Sequence, residues 1–481
     1  MTTTYEPVIG LEVHAELLTA SKMFCRCAVV DSTQAEPNTC VCEVCAGMPG
    51  VLPVINKQAV EYAMMVGLAL NCEIAPENQF ARKSYFYPDL PKGYQISQYD
   101  KPLAIEGWVE VEAGDTVERI RVRRAHLEED TGKLEHVNGH SLVDLNRAGV
   151  PLLEIVSEPD IHSVETLEAY ARKLRAILVY LGVNHGDMSK GVLRFESNIS
   201  VRPAGSDDLP AYRTEIKNLN SIRSLRESGR AEIERQIGLL EKGETPSQVT
   251  LGWSEAGGEL VIQRSKEYAH DYRYFPEPDL PPLVVSREWV EAIRQRLPEL
   301  PDAKRERFVT EHGLSPYDAG VLVADKATAG YYEEAVEGGG DPKTLANWIT
   351  GELFGLMNAA DPPVGIEAVK VTPAALVELT QLVAAGTINN NVAKGILGEV
   401  FKSGKPVSEL VKGKEQISDA AQLGEVVAQI IADNPEEVQA YLDGNEKVAK
   451  WMMGQVMKAT RGQANAQVVL DLLDEQLAAL K

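Results

Sequence analysis

Acidic side chains recur in this chain at spacings that suit metal and phosphate chemistry. In VIGLEVHAEL, Glu12 and His14 alternate with apolar residues, which predicts a strand with one polar face. In HLEEDTGK, the adjacent Glu128 and Glu129 would point to opposite faces of an extended segment, with His126 on the face of Glu128. Carboxylates at this density repel one another unless a cation lies between them, so the alternatives are a solvated hairpin end and a cation site.

Two further segments add acids together with basic residues. RFESN contributes Glu196, and YRTEIKNLNS contributes Glu215 alongside Arg213, Lys217 and Asn218. Mg²⁺ takes oxygen ligands from one or two carboxylates and keeps water or phosphate in its other positions. Because basic residues are interleaved with the acids, a phosphate-bearing ligand on that metal is favoured. The sequence has no G-x-x-x-x-G-K-[ST] loop, no nucleophile elbow and no Gly- and Ser-rich amidase signature.

Five cysteines fall between positions 25 and 45, in MFCRC and NTCVCEVCAG. Two closely spaced pairs joined by a loop are typical of a structural zinc site, in which four thiolates fill a tetrahedral shell. Scattered buried thiols are the alternative, and so short a window disfavours them. We predict zinc ligation by Cys25, Cys27, Cys42 and Cys45, although spacing alone leaves open which of the five, Cys40 included, is the spare.

The elements that must position these residues indicate an α+β fold. LRFESNISVR alternates like the first strand, and SVETLEAYARKLRAILVYLG is helical between an N-capping Ser163 and Gly182. We therefore predict a large, mainly antiparallel sheet up to about residue 290, followed by helices. The predicted domains are residues 1–292 with a zinc-binding loop at 25–45, a helical domain at 293–404, and a small helical tail domain at 405–481.

The composition is that of a globular protein. The chain has 481 residues, 44% of them hydrophobic, with 48 basic and 71 acidic residues for a net charge of −23. This charge argues against nonspecific coating of nucleic acid, but a shaped RNA site on an acidic body stays open. We find no secretory signal and no apolar run near the ~20 residues of a membrane span, so we expect a cytoplasmic protein without membrane contacts.

Several long blocks together resemble one known family. The blocks VIGLEVHAEL, KSYFYPDLPKGYQISQYD, HLEEDTGK, SLVDLNRAGVPLLEIVSEPD, RTEIKNLNS and DYRYFPEPDLPP are similar to the B subunit of the tRNA-dependent amidotransferase, the GatB family. They span the first 280 residues, and the rest has the helical-plus-tail organisation of that family. The resemblance implies a cradle-like first domain in a ligase that converts misacylated glutamyl-tRNA(Gln) or aspartyl-tRNA(Asn) into the amidated form, and the sequence leaves open which of the two is the substrate.

The resemblance also implies partners and cofactors. An amidase A subunit would release ammonia from glutamine, and a small C subunit would clasp the pair. A non-discriminating aminoacyl-tRNA synthetase is a further candidate partner beside the misacylated tRNA. ATP with Mg²⁺ would activate the side-chain carboxyl for attack by ammonia, and Zn²⁺ would be structural. The alternative is a non-catalytic, zinc-stabilised tRNA-binding scaffold whose partner performs the chemistry.

The same resemblance places acids from separate segments near each other. It implies catalytic roles for Glu12, His14, Glu128, Glu129, Glu196 and Glu215. We predict that Mg²⁺ is surrounded by Glu12, His14, Glu128 and Glu215. His14 could instead orient a water or accept a softer ion such as Mn²⁺. Binding of ATP or substrate would involve Arg213, Lys217 and Asn218.

The segment NEKVAKWMMGQVMKATRG predicts an amphipathic helix in the tail. At 100° per residue its basic residues fall within about 80° of each other. They are Lys447, Lys450, Lys458 and Arg461, and the apolar side holds Val448, Met452, Val456 and Ala459. An ordinary solvated helix face competes evenly from the sequence alone, and the family's RNA-contacting tail favours tRNA binding.

Overall fold

The computed structural model describes residues 4–114, 116–265, 272–443, 445 and 447–480, except for the side chains of 218, 264 and 265. The chain divides into two units, Met1–Pro301 and Asp302–Lys481. The first is built on a large sheet and the second is helical, which confirms the predicted α+β class. The finer division into three domains stays a prediction.

The first unit is built from strands that pair mostly with antiparallel neighbours. Their bounds are β1 (Tyr5–Glu16), β2 (Glu73–Ile74), β3 (Glu77–Asn78), β4 (Ala81–Ser84), β5 (Tyr94–Ser97), β6 (Ala104–Ala113), β7 (Thr116–Glu129), β8 (Lys133–Val137), β9 (His140–Asp144), β10 (Pro151–Ser157), β11 (Leu193–Pro203), β12 (Thr214–Leu219), β13 (Val249–Ser254), β14 (Glu259–Ser265), β15 (Phe275–Pro276) and β16 (Leu283–Val284). Within the described residues, nine of them form one sheet in the order β14-β13-β12-β11-β1-β10-β7-β6-β2. In that sheet β12 and β13 run parallel, and the other described neighbours are antiparallel.

Helices cover one face of this sheet. They are α1 (Lys57–Ala69), α2 (Val164–Tyr180) and α3 (Ile222–Glu241), and they contact β6, β7 and β11. The predicted alternation in β1 is confirmed, since Ile9, Leu11 and Val13 are buried in the core below these helices. Ser163 caps α2 as predicted, because its hydroxyl accepts a hydrogen bond from the backbone N–H of Thr166 at 3.0 Å. The sheet therefore has one apolar face and one face free to carry polar side chains.

A fourth helix, α4 (Arg287–Arg294), still belongs to the first unit. It packs against α1, where the indole N–H of Trp289 donates to Glu61 at 3.3 Å. Just beyond the helix, Arg296 pairs with the same carboxylate at 2.9 Å. These contacts explain why the first unit extends past residue 292 to Pro301.

The second unit consists of helices. Their bounds are α5 (Pro301–Thr310), α6 (Pro316–Val323), α7 (Lys326–Glu337), α8 (Pro342–Asn347), a π-helical segment (Trp348–Leu353), α9 (Phe354–Ala359), a 3₁₀ turn (Ile366–Ala368), α10 (Pro373–Ala384), α11 (Asn390–Ser403), α12 (Val407–Leu410), α13 (Ala420–Asp433), α14 (Pro435–Leu442), α15 (Lys447–Ala459) and α16 (Ala466–Ala478). Near the C-terminus, α13, α15 and α16 share a core that includes Leu423, Met452 and Leu473. A search of the described helices for one long and apolar enough to cross a membrane finds none.

Candidate functional site

The polar face of the sheet brings together acids and histidines from three neighbouring strands. On β1, His14 lies opposite Glu154 of β10, and Glu154 in turn lies opposite His126 of β7. Glu128 is two residues further along β7, so it shares the face of His126. The pattern arises because each strand alternates apolar residues towards the helices with polar residues away from them.

Three of these side chains form a compact group, the carboxylate–histidine cluster, defined as His14, Glu128 and Glu154. The Nε2 atom of His14 lies 3.8 Å from Glu128 and 3.7 Å from Glu154. His126 adds a contact from its Nε2 to Glu154 at 3.3 Å. Glu128 also accepts a hydrogen bond from the Ser97 hydroxyl at 3.3 Å.

Burial and mutual charge shift the protonation of this cluster. Burial, and then the neighbouring charge of Glu154, raise the pKa of Glu128 to about 7. Burial acts in the same direction on Glu154, but His126, His14 and Lys83 more than offset it, so the pKa of Glu154 is lowered. Burial disfavours the charged form of Lys83 as well, yet Glu128 and its neighbours raise the pKa of this lysine. Glu154 is therefore ionised at neutral pH, and Glu128 is poised between its two forms.

The residues of the carboxylate–histidine cluster fit a divalent cation. One ligand atom from each lies within 4.8 Å of the others. An octahedral ion with bonds of about 2.1 Å holds its ligand atoms about 3–4 Å apart. Within the described residues, the Nδ1 atoms of His14 and His126 are buried without a hydrogen-bond partner. An added ligand or a water molecule would supply the partner that these ring nitrogens lack.

A second acidic group lies beside the first, across β1, β11 and β12. Glu12 accepts a hydrogen bond from Asn198 at 2.9 Å. Lys217 lies 2.5 Å from Glu196 and 3.3 Å from Glu215. Burial, then the charges of Glu154 and Glu196, raise the pKa of Glu12 to about 7. Burial opposes the charge of Lys217, but Glu196 and Glu215 raise its pKa, so this lysine is a fixed cation among the acids.

The metal-ligand set expected from the sequence stays a prediction, and the structure separates two of its members in the sheet. Glu215 is on β12 and Glu128 is on β7, four strand positions apart in the sheet. At ~4.8 Å per strand, four strand spacings separate their backbones by about 19 Å measured along the sheet. This distance is too long for the two side chains to share one ion. Glu215 instead contacts Lys217 and accepts from Thr250 at 3.0 Å. Glu154 takes its place beside Glu128.

Glu129 is also outside the carboxylate–histidine cluster. It points to the opposite face of β7, as alternation requires, and pairs with Lys92. Its carboxylate accepts a further hydrogen bond from the Ile96 backbone N–H at 3.0 Å. Glu129 therefore joins the strand end to the loop before β5 rather than facing the other acids.

A cavity of about 390 Å³ adjoins Glu12 and holds the expected substrate-binding arginine. Its lining includes Glu12, Asn198, Arg123 and Arg213. Arg213 is exposed on this side, whereas Arg123 forms a two-point pair with Glu158 at 2.7 and 2.9 Å. The predicted role of Asn218 concerns a side chain outside the described residues.

Sequence reasoning missed Glu154 and Lys83. Glu154 lies in the run PLLEIVS, where apolar residues on both sides predict a buried strand and hide the polar face. A lone acid in such a run is itself a signal, because an ionised carboxylate is rarely buried without a partner. For Lys83, within KSYFYPDLPKGYQ, no local pattern indicates its position near Glu128.

The sulfur atoms of Cys25, Cys27, Cys42 and Cys45 lie together, and we call this group the cysteine cluster. The sulfur of Cys45 lies 3.9 Å from those of Cys27 and Cys42. Four thiolates at 2.3 Å from a tetrahedral zinc lie about 3.8 Å apart, so the group fits that ion. A hydrogen bond from Cys25, together with other contacts, lowers the pKa of Cys45 to about 4. Cys40 is outside the group, and its backbone N–H donates to Asn146 at 2.9 Å.

The four basic residues predicted to bind tRNA lie on or just beyond α15, and each is exposed: Lys447, Lys450, Lys458 and Arg461. The opposite side packs into the tail core through Val448, Met452 and Val456, whereas Ala459 is exposed. Between residues 415 and 480 the sequence has no other Lys or Arg, and the remaining basic residues of the predicted tail domain are Lys405, Lys412, Lys414 and Lys481.

Comparison with known proteins gives matches along almost the whole chain. The GatB/GatE catalytic domain matches residues 7–291, and the GatB domain matches residues 330–477. The B subunit of the aspartyl/glutamyl-tRNA(Asn/Gln) amidotransferase of Thermodesulfovibrio yellowstonii is 52% identical over 98% of this chain and 98% of its own length. Proteins of the same name from Carboxydothermus hydrogenoformans and Roseiflexus sp. are each 50% identical, over 99% and 98% of both chains respectively.

Proposed function

The chain belongs to the GatB family of amidotransferase subunits, and on that premise we propose that it activates the side-chain carboxyl of misacylated tRNA for amidation. The substrate would be aspartyl-tRNA(Asn), glutamyl-tRNA(Gln) or both, as in the names of its relatives. The observation that carries the proposal is the carboxylate–histidine cluster on the polar face of the sheet. An amidase subunit and a small subunit would complete the enzyme.

The reaction would have two balanced steps. The substrate carboxylate attacks the γ-phosphorus of ATP, and ADP leaves as an acyl phosphate forms. Ammonia then attacks the acyl carbon, phosphate leaves, and the nitrogen loses a proton. Phosphoryl transfer needs positioning and charge neutralisation rather than a protein nucleophile, which matches a site of acids, amides and a few cations.

Each group of residues has a role in this proposal. His14, Glu128 and Glu154 would hold Mg²⁺ or Mn²⁺, which when bound neutralises phosphate charge. Lys217 and Arg213 would contact phosphate or carboxylate oxygens beside the cavity at Glu12. Glu12, with a pKa of about 7, is suited to accept the proton that the nitrogen loses.

We further propose that the cysteine cluster binds structural zinc and that the basic side of α15 contacts tRNA. The first rests on four sulfurs at tetrahedral spacing, with no position left for a reacting water. The second rests on the three exposed lysines of α15 and on Arg461 just beyond it, which the sequence pattern puts on one side.

The test is tRNA-dependent ATP cleavage by the assembled three-subunit enzyme. Glu128→Gln keeps the shape of the side chain and removes its charge, and Glu154→Gln does the same on β10. Both variants should lose ATP cleavage and amidation by more than about 100-fold while binding tRNA as the wild type does. Glu110→Gln is the matched control, since Glu110 pairs with Arg119 on an exposed part of β6 at 2.8 Å.

The scaffold alternative predicts a different outcome. If a partner performs all the chemistry, both cluster variants should amidate at near wild-type rate in saturating Mg²⁺. That result would reduce the carboxylate–histidine cluster to a structural feature. Release of ammonia from glutamine by the partner should be unchanged in every variant.

A further inference from the structure

Two tyrosines from separate segments of the first unit stack on each other. Tyr99 follows β5, and Tyr274 immediately precedes β15. Their ring centroids lie 4.1 Å apart and their planes differ by 6°, so the rings are parallel and in contact. We call Tyr99 and Tyr274 the tyrosine pair. Neither residue has a role in the site described above.

The segment that carries Tyr274 is held by its neighbours. The ring of Tyr272 meets that of Tyr274 edge-on, with 6.0 Å between the centroids and an angle of 73°. The Tyr272 carbonyl accepts a hydrogen bond from the Ser84 backbone N–H at 2.9 Å, and the Lys83 ammonium lies 5.1 Å from the centre of the Tyr272 ring. Arg273, between the two tyrosines, has a φ of +48°, a left-handed conformation that residues with a side chain rarely adopt. Strained residues are concentrated at ligand sites, so this segment is shaped for a contact as well as for packing.

The segment that carries Tyr99 is anchored beside the carboxylate–histidine cluster. Ser97, two residues before Tyr99, donates from its hydroxyl to Glu128 at 3.3 Å. The side-chain oxygen of Gln98 accepts a hydrogen bond from the Leu127 backbone N–H at 3.1 Å. The Cα atoms of residues two positions apart are separated by at most ~7 Å. Tyr99 therefore begins one short step of chain away from a residue that contacts the cluster.

Tyr274 also borders the cluster. Burial raises the pKa of Tyr274 to about 12, the charge of Lys83 opposes that rise, and the charges of Glu128 and Glu154 add to it. The Tyr274 hydroxyl is therefore within electrostatic range of both cluster carboxylates. Tyr274 is half-buried, whereas Tyr99 is 44% exposed. The ring of the pair that a ligand can reach is that of Tyr99.

A planar ring is the ligand that a partly exposed, stacked tyrosine accepts. Bases of single-stranded RNA stack on Tyr, Phe and Trp side chains, whatever the identity of the base. The reaction proposed above brings the end of an RNA to the cluster, because the carboxyl to be activated belongs to an amino acid esterified to the last ribose of a tRNA. That ribose carries adenine, the 3′-terminal base common to tRNAs.

Distances within the substrates favour this adenine over that of ATP. The reacting carboxyl carbon is four bonds from the ribose oxygen in aspartyl-tRNA and five bonds in glutamyl-tRNA, or roughly 5–7 Å. The terminal adenine must therefore lie close to the cluster, as Tyr99 does. The adenine of ATP is separated from the γ-phosphate by a ribose and two further phosphates. The cavity at Glu12, on the β11 side of the cluster, suits it better than the tyrosine pair on the β7 side.

We propose that the tyrosine pair binds the 3′-terminal adenine of the misacylated tRNA, with the base stacked on the ring of Tyr99. The inference rests on the proposed function, because it takes a tRNA-borne carboxyl to be the group that reaches the cluster. It adds a subsite that places the ester, and hence the side-chain carboxyl, beside Glu128. Because the base is the same whichever amino acid is attached, this subsite serves aspartyl-tRNA and glutamyl-tRNA equally.

The first experiment measures binding without activity. The assembled three-subunit enzyme binds uncharged tRNA that either ends in the complete CCA sequence or lacks the terminal adenosine. Tyr99→Leu keeps an apolar contact with Tyr274 but removes the aromatic ring, and Tyr99→Phe keeps the ring. Loss of the terminal adenosine should weaken binding about tenfold in the wild type and in Tyr99→Phe. It should have no effect in Tyr99→Leu, because the base has already lost its stacking partner.

The second experiment measures amidation by the same complexes. In Tyr99→Leu the KM for misacylated tRNA should rise about tenfold, and the KM for ATP should be unchanged. Phe275→Ala is the matched control, because Phe275 is the neighbour of Tyr274 and its ring is 46% exposed. Alternation along β15 puts this ring on the opposite side from Tyr274, so both KM values should stay at the wild-type level.

The outcomes separate this proposal from the proposed function. If loss of the terminal adenosine weakens binding equally in the wild type and in Tyr99→Leu, the base does not stack on Tyr99 and the proposal is overturned. A raised KM for ATP with unchanged tRNA binding would overturn it too, and would assign the tyrosine pair to the adenine of ATP. Equal losses in Tyr99→Phe and Tyr99→Leu would show that the hydroxyl matters rather than the ring, which also overturns stacking. If the wild-type enzyme shows the expected tRNA binding but no tRNA-dependent ATP cleavage, the proposed function fails while the stacking site stands.

Discussion

Replacing Lys22 by Met should weaken metal binding at the cysteine cluster by about 10- to 100-fold. Lys22 is fully buried, and its ammonium lies 3.5 Å from the sulfur of Cys45 and donates to the Leu145 carbonyl at 3.1 Å. The described residues provide it with no carboxylate partner within salt-bridge distance. Four thiolates around a divalent ion carry a net charge of −2, so the ammonium is the group that balances part of this charge.

The size of the effect follows from distance and burial. Two unit charges 3.5 Å apart attract by about 5 kcal/mol at an effective dielectric constant of about 20, and desolvation of the ammonium offsets much of that. A net loss of ~1.4–2.8 kcal/mol corresponds to the 10- to 100-fold change. Met fills the same space as the lysine stem, so packing is largely preserved.

The assay is competition for zinc between the protein and a chromogenic chelator, with Co²⁺ absorption as a check on thiolate ligation. Lys190→Met is the control, since Lys190 is an exposed lysine between α2 and β11 that pairs with Asp31 of the cysteine-bearing loop at 2.9 Å. Cys40→Ser should bind zinc normally, and Cys42→Ser should not. The unfolding temperature of Lys22→Met should fall more for the zinc-loaded protein than for the chelator-treated protein.

Unchanged zinc affinity in Lys22→Met would refute the charge-balancing role. An equal drop in unfolding temperature with and without zinc would also refute it, because a lysine that only fills space contributes equally to both forms. Failure of the wild-type protein to bind zinc would refute the metal site itself.

Two further predictions concern pH and salt. Because burial raises the pKa of Glu128 to about 7, this carboxyl is about 90% protonated at pH 6 and about 10% protonated at pH 8. A cation competes with that proton, so the affinity for Mn²⁺, measured by electron paramagnetic resonance, should rise about tenfold from pH 6 to pH 8. Glu128→Gln should remove the part of this rise that is due to Glu128. An affinity independent of pH would contradict Glu128 as a ligand. Lys447→Glu combined with Lys450→Glu should weaken tRNA binding and lower the slope of log K against log salt by about 2, measured by filter binding, because phosphate contacts release counterions. Lys405→Glu, outside α15, is the control. An unchanged slope in the double variant would show that the basic side of α15 is an ordinary solvated helix face without tRNA contacts.

Features set by local spacing could be predicted from the sequence. The alternation of Glu12 and His14 with apolar neighbours fixes their face on β1, whichever strands pair with it. The four cysteines that lie together are the four predicted as zinc ligands, although spacing alone left the spare one of the five open. Ser163 caps α2 as its position predicts. The strand face and the helix cap depend on information contained within about 20 consecutive residues.

Features set by strand order could not be predicted from one chain segment. Whether Glu154 or Glu215 lies beside Glu128 depends on which strands are neighbours of β7, and no periodicity encodes that order. Glu154 also lies in an apolar run that favours a buried position on both faces. The contact between Lys22 and Cys45 likewise depends on tertiary packing.

The cysteine cluster and the carboxylate–histidine cluster are joined by one loop, residues 145–150, which leads into β10. Lys22 donates to Leu145 in this loop, the backbone N–H of Met23 donates to the Gly149 carbonyl at 2.7 Å, and the N–H of Asp130 donates to Val150 at 2.8 Å. Glu128 precedes Asp130 on β7, and Glu154 follows Val150 on β10. The loop that carries the cysteine cluster thus braces the ends of the two strands whose carboxylates must stay close together despite their repulsion. With zinc held by the cysteine cluster as proposed, its removal should loosen the geometry of the carboxylate–histidine cluster and lower the rate of amidation without abolishing it, because the acids, the histidine and the bound tRNA remain.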